Sequence, residues 1–88
     1  MEKIILNEYG IEKQLRQMQE ECGELVAAIN HYLRDENNTS TTYSIMFLEV
    51  CDLTNLIEQF KLMFPNDSIE RLRRQKLIRE IKRINSKK

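Results

Sequence analysis

Proline, glycine and valine are scarce: the 88 residues include one proline, two glycines and two valines. Sandwiches and barrels, which need turn formers and β-branched strands at short intervals, are excluded, and so are collagen-like chains and Pro/Gly-rich linkers. Doubly wound nucleotide folds, built on a glycine-rich phosphate turn, are excluded as well. Two cysteines are too few for a disulfide scaffold, and Cys22 and Cys51 have no metal-type spacing. They read as small buried hydrophobes of an intracellular protein, so a cytoplasmic location is expected. The opening residues carry only a three-residue apolar run, Ile4-Ile5-Leu6, so no secretory leader is expected. The apolar-rich stretch from Tyr43 to Phe64 is interrupted by Glu49, Asp52, Glu58 and Lys61, which argues against a membrane span.

What remains is isoleucine and leucine, ten of each, in a chain that is 32% charged. This is the composition of an all-α domain. A single domain over residues 1–88 is expected to bury only roughly 60–65% of its unfolded surface. Its core is thin, which points to a homo-oligomer.

Net charge is zero but polarised. Residues 69–88 hold nine basic and two acidic side chains, a balance of +7, and residues 1–68 hold five basic and twelve acidic, a balance of −7. The basic end is a poor case for nucleic acid, because no aromatic residue follows Phe64 and the rest of the chain is acidic.

The periodicity predicts a bundle of about three main helices after an apolar lead-in at residues 2–9. The first spans Ile11 to Arg34, where Ile11, Leu15, Met18, Cys22, Leu25, Ile29 and Tyr32 recur at three- and four-residue steps. The polar run Asp35 to Thr42 predicts a loop in which Thr39, Ser40 or Thr41 caps the next helix. The second helix is expected from Tyr43 to Phe64, before Pro65. It is apolar on nearly every face, so a second subunit is needed to cover it. Tyr43 and Phe47 read as packing residues. Asp67 and Glu70 resemble a capping box for a third helix running to about Asn85, with Ile69, Leu72, Leu77, Ile81 and Ile84 facing inward.

Glu49 and Asp52 fall in the second helix's apolar stripe with Ile45, Leu56, Phe60 and Met63. Neither has a Lys or Arg three or four residues away, so neither has an intrahelical partner. Glu21 and Glu24 repeat the same spacing on the first helix, with Glu21 on the stripe's border beside Ala28 and Tyr32. Antiparallel packing brings the four acids together. Converging carboxylates repel unless a cation separates them, and oxygen-only ligands favour Mg²⁺ or Mn²⁺ over zinc. Solvent-facing acids, the usual case, fit Glu20 better than these four. His31, alone near a helix end, reads as a solvated side chain.

Glu21-x-x-Glu24, 24 intervening residues, and Glu49-x-x-Asp52 resemble the signature of the all-α nucleoside triphosphate pyrophosphohydrolases, the group of the MazG-like proteins, dimeric dUTPases and phosphoribosyl-ATP pyrophosphohydrolases. Glu20-Glu21-Cys22-Gly23-Glu24-Leu25 is similar to the first motif of that family. Leu48-Glu49-Val50-Cys51-Asp52-Leu53-Thr54-Asn55 is similar to the second. The resemblance covers about residues 14–84 and reaches short single-domain phage and Gram-positive members. Such relatives often carry a lysine shortly after the first motif, where this chain has Asn30-His31.

The resemblance implies a dimer or tetramer that cleaves a nucleoside triphosphate to the monophosphate and pyrophosphate. Glu21, Glu24, Glu49 and Asp52 would be catalytic metal ligands for Mg²⁺ or Mn²⁺. Lys76 and Arg79 would contact phosphate, and Asn55 would contact sugar or base. Two rival readings use the same features. One is a non-enzymatic module that dimerises through the second helix and holds an acidic partner with the basic one. The other is a small nucleic-acid binder.

Overall fold

The computed structural model describes residues 1–37, 39–65 and 68–87, and it is helical. Four helices follow one another: α1 (Glu2–Tyr9), α2 (Ile11–Arg34), α3 (Ser40–Met63) and α4 (Ile69–Ser86). The apolar lead-in is therefore itself a helix, and the described residues hold four helices, the short α1 beside the three main ones expected. Gly10 separates α1 from α2 with φ 86° and ψ 163°, a region open essentially to glycine, while its N–H donates to the Leu6 carbonyl at 2.8 Å. Among the described residues no helix is long and apolar enough to cross a membrane.

α3 begins at Ser40, three residues ahead of the expected Tyr43. The cause is Asp35, whose Oδ2 accepts from the Thr39 N–H at 2.8 Å and from the Thr39 and Thr42 hydroxyls at 2.6 and 2.8 Å. Thr39 in turn accepts the Thr42 N–H as the N-cap. Four polar residues that read as loop thus become the cap and first turn. α4 is capped by Ser68, which accepts the Arg71 N–H at 3.2 Å. The expected cap at Asp67 lies outside the described residues.

α2 and α3 form an antiparallel hairpin. Gln14 donates to Gln59 across it at 2.7 Å, and Tyr32 meets Tyr43 near the connecting loop with ring centroids 6.3 Å apart. That register sets residues 21–24 across from 49–52. The seam has heptad spacing on both helices, through Gln14, Glu21 and Ala28 on α2 and Glu49, Leu56 and Met63 on α3. Its most buried members on α2 are polar, apart from Ala28.

Other large apolar side chains lie off the seam. Counting about 100° per residue, the α2 stripe through Ile11, Leu15, Met18, Cys22 and Ile29 is turned about 80° from the seam. On α3, Tyr43, Met46, Val50 and Ile57 are turned about 100° from it. Because the helices are antiparallel, both rotations point to the same side. The hairpin therefore has one apolar flank, on which Ile11, Ile29, Tyr43, Val50 and Ile57 are all exposed. The cysteines are exposed too, not buried as expected, because both lie off the seam. Tyr43 and Phe47 stack on each other at 6.2 Å but are also exposed, so neither is a core residue of this chain.

α4 departs furthest from expectation. None of its residues is buried, and Leu72, Leu77, Ile81 and Ile84 stand in solvent instead of facing inward. α1 crosses both hairpin helices, but α4 is held at its root by the Lys61–Glu70 ion pair at 2.7 Å. The Cα radius of gyration is 16.6 Å. A compact domain of this length would have about 12 Å. The molecule measures 42 × 38 × 18 Å, little more than one layer of helices. Only Ala28, Leu56 and Met63 are buried hydrophobic residues among those described.

Candidate metal centre

The antiparallel register decides which carboxylates meet. Glu21 and Glu49 both lie on the seam, so they face each other, and Glu24, one turn along α2, leans in from the edge. One carboxylate oxygen from each of Glu21, Glu24 and Glu49 lies within 4.8 Å of the other two. Glu21 is buried at 8% exposure, Glu49 is half-buried and Glu24 is exposed.

Among the described residues this cluster receives one side-chain hydrogen bond. Gln17, four residues before Glu21, donates to Glu21 Oε1 at 3.1 Å. The second oxygens, Glu21 Oε2 and Glu49 Oε2, are inaccessible to water and have no hydrogen-bond partner. Burial pushes the Glu49 carboxyl up to about 7, helped by the adjoining Glu21 carboxyl and by the Glu24 charge. Two orphaned acceptors in a helix seam are costly as they stand. A proton on Glu49 or a cation between the carboxylates relieves them.

Asp52 is exposed and is not among the clustered carboxylates. Its position explains this: it is turned about 60° from Glu49 toward the flank opposite the apolar one. Glu24 is turned by about the same angle to the same flank. The acidic site thus opens away from the apolar flank, with Glu21 and Glu49 as its floor and Glu24 and Asp52 at its rim. Asn55, one turn past Asp52, is exposed. Lys76 and Arg79 are exposed on α4, and among the described residues neither pairs with a carboxylate. The single chain therefore assembles three of the four expected metal ligands without bringing the expected phosphate ligands to them. Glu20 and His31 are exposed, as expected of solvated residues.

Gln14, Gln17 and Gln59 were not legible as part of this arrangement. The available signal was the seven-residue spacing of Gln14, Glu21 and Ala28, which marks a seam that the apolar stripe does not follow. A groove along α2, lined by Glu12, Leu15, Arg16, Met18, Gln19 and Cys22, lies away from the Glu21–Glu24–Glu49 cluster. No protein-family model, curated protein or solved structure matches this chain.

Proposed function

We propose that the protein is a Mg²⁺-dependent nucleoside triphosphate pyrophosphohydrolase of the MazG-like kind, acting in the cytoplasm as a homo-oligomer. The observation that carries this reading is the convergence of the Glu21, Glu24 and Glu49 carboxylates, with one oxygen of Glu21 and one of Glu49 inaccessible to water and without a hydrogen-bond partner. The donor set fits a hard divalent cation: the ligands are all carboxylate oxygens, and the two orphaned ones have no competing hydrogen bond.

Glu21, Glu24 and Glu49 would hold Mg²⁺ or Mn²⁺, with Asp52 completing the set from the rim. The cation supplies charge neutralisation of the phosphate oxygens. Gln17 fixes the Glu21 carboxylate by its hydrogen bond, which keeps the other Glu21 oxygen aimed into the seam. The open flank admits the triphosphate past Glu24 and Asp52. Asn55 lies beside that entrance, with one side-chain donor group and one acceptor for sugar or base. A carboxylate at the rim orients the water that attacks the α-phosphorus and takes its proton. Lys76 and Arg79 supply positive charge to the phosphates from α4.

Assembly is part of the reading. In a square bundle each helix meets two neighbours about a right angle apart, and α2 and α3 each carry a second apolar stripe at about that angle from their seam. Two hairpins facing through these flanks make a four-helix core. Such a dimer covers Ile11, Ile29, Val50 and Ile57 while leaving both acidic sites open.

The test is incubation with a panel of ribo- and deoxyribonucleoside triphosphates, with and without Mg²⁺, followed by separation of products. The expected result is monophosphate plus pyrophosphate, formed only with metal. Diphosphate plus orthophosphate would place cleavage at the wrong bond and overturn the reading. Absence of turnover together with absence of any Mg²⁺ effect on melting temperature would replace it with the non-enzymatic interaction module.

A further inference from the structure

A second concave site lies on the acidic flank, where the end of α1 meets the first turns of α2. It is a groove of about 360 Å³ lined by Tyr9, Lys13, Gln14 and Gln17. Taking Glu21 as the seam direction, Gln17 and Lys13 are turned from it by about 40° and 80°, to the same side as Glu24 at about 60°. Gln17 and Gln14 precede Glu21 by four and seven residues, about 6 and 10 Å along the helix axis. The groove therefore continues the acidic site toward the start of α2. Gln17 belongs to both, since its amide donates to Glu21 at 3.1 Å.

The lining selects the ligand. It offers one cation, one aromatic ring and two neutral amides. Phosphate oxygens call for several charged donors, whereas a nucleobase needs a flat apolar face and a few neutral hydrogen-bonding groups at its edge. Tyr9 is 51% exposed, and the Lys13 Nζ stands 4.6 Å from its ring centroid, which steadies the ring. Among the described residues Lys13 pairs with no carboxylate. Gln14 donates to Gln59, and Gln17 donates to a carboxylate, which can only accept, so the carbonyl oxygen of each amide is left for a ligand.

We propose that this groove takes the nucleobase of the triphosphate whose phosphates meet the carboxylate cluster. The base stacks on Tyr9, and Lys13, Gln14 and Gln17 hydrogen-bond its edge. The stretch between the groove and Glu21 then belongs to the ribose and the α-phosphate. The Gln14–Gln59 register sets Asn55 level with Met18, between groove and cluster, so Asn55 falls to the sugar. This deepens the nucleotide reading above and rests on it. It needs no residue from a second copy.

Nuclear magnetic resonance of the full chain in Mg²⁺, titrated with the two product classes, tests this apart from turnover. Nucleoside monophosphates should shift the Tyr9 ring signals, identified by their loss in Tyr9→Phe, and inorganic pyrophosphate should not. Tyr9→Leu should weaken binding of the best monophosphate at least ~5-fold, the low end of what a stacked base contributes. It should leave pyrophosphate binding and the Mg²⁺ effect on melting temperature unchanged. Tyr9→Phe should keep the affinity within ~2-fold, because stacking does not use the hydroxyl. Lys13→Met should weaken binding less than Tyr9→Leu.

Tyr9 signals that move with pyrophosphate and not with monophosphates would make the groove a phosphate site and overturn the proposal. So would monophosphate affinity that Tyr9→Leu leaves unchanged. Triphosphate turnover with the same KM in Tyr9→Leu as in the parent would keep the hydrolase and remove the base groove. Tyr9-dependent monophosphate binding without turnover of any triphosphate would remove hydrolysis and keep the groove. Neither binding nor turnover would overturn both.

Discussion

Two polar contacts lie in the same α2–α3 seam and differ in one respect. Gln14 and Gln59, at 6% and 3% exposure, meet as donor and acceptor at 2.7 Å. Glu21 and Glu49 meet as two acceptors, each with an oxygen that has no partner. An amide pair carries its own donor, so it closes a buried contact and fixes the register without outside help. A carboxylate pair in the same setting must borrow a proton or a cation. The first contact therefore holds the hairpin together, and the second is available for chemistry at some expense of stability.

The largest expected effect breaks the acidic contact. Glu49→Gln provides a donor to Glu21 and removes a metal ligand. If the proposed activity is present, turnover with saturating Mg²⁺ should fall at least ~100-fold, the rate equivalent of a few kcal/mol of lost charge stabilisation. The same variant without metal should melt no lower than the parent, and higher near neutral pH. Double substitution of Glu49 and Asp52 by alanine should likewise abolish turnover with the helices intact. A large loss of metal-free helicity would count against the site.

Breaking the amide contact should do the opposite. Gln14→Ala leaves the buried Gln59 carbonyl without its donor, at a cost of about 1–3 kcal/mol in denaturant or thermal unfolding. Bound Mg²⁺ should still raise the melting temperature of that variant.

A pH series sharpens the difference. With the Glu49 carboxyl raised from 4.5 to about 7, the folded chain binds more protons than the unfolded one between those values. The Glu49 contribution to metal-free stability should therefore be fullest below pH about 4.5, fall as pH rises to about 7, and then level off. Glu49→Gln should flatten that fall, and Mg²⁺ should oppose it, since the cation displaces the same proton. Nothing in the Gln14–Gln59 contact titrates.

The smallest effect is at the hairpin loop. Hydrogen bonds from Thr39, first, and Thr42 hold the Asp35 carboxyl down at about 2. The shift is downward, so its contribution is present above pH about 4 and is lost as pH falls through about 2. Asp35→Asn should remove that acid-limb slope and leave the slope between pH 4.5 and 7 unchanged.

How much of this could be read beforehand varies by element. The span of α2, Ile11–Arg34, was predicted residue for residue, because its periodicity is unbroken and Gly10 and Asp35 bracket it. The start of α3 was set three residues late, because Thr and Ser read as loop until Asp35 is seen to hold them. The meeting of Glu21, Glu24 and Glu49 was legible from helical spacing alone. The exposure of Asp52 was not, because a helical wheel does not say where the seam lies within a broad apolar arc. The seam was placed off-centre: of the expected α2 stripe, Leu25 and Tyr32 border the seam along Gln14, Glu21 and Ala28, while Ile11, Cys22 and Ile29 lie about 80–100° from it.

Sequence by itself determined that this protein is helical, the span of α2, how its charge is divided and which acids share a helix face, because those properties depend on neighbours within a few residues. Tertiary structure decided that the amides rather than the isoleucines line the seam, that two carboxylate oxygens are left without donors, and that α4 stands clear of its own hairpin. Those outcomes depend on the register between residues 45 positions apart, as in the Gln14–Gln59 contact, which no local pattern contains.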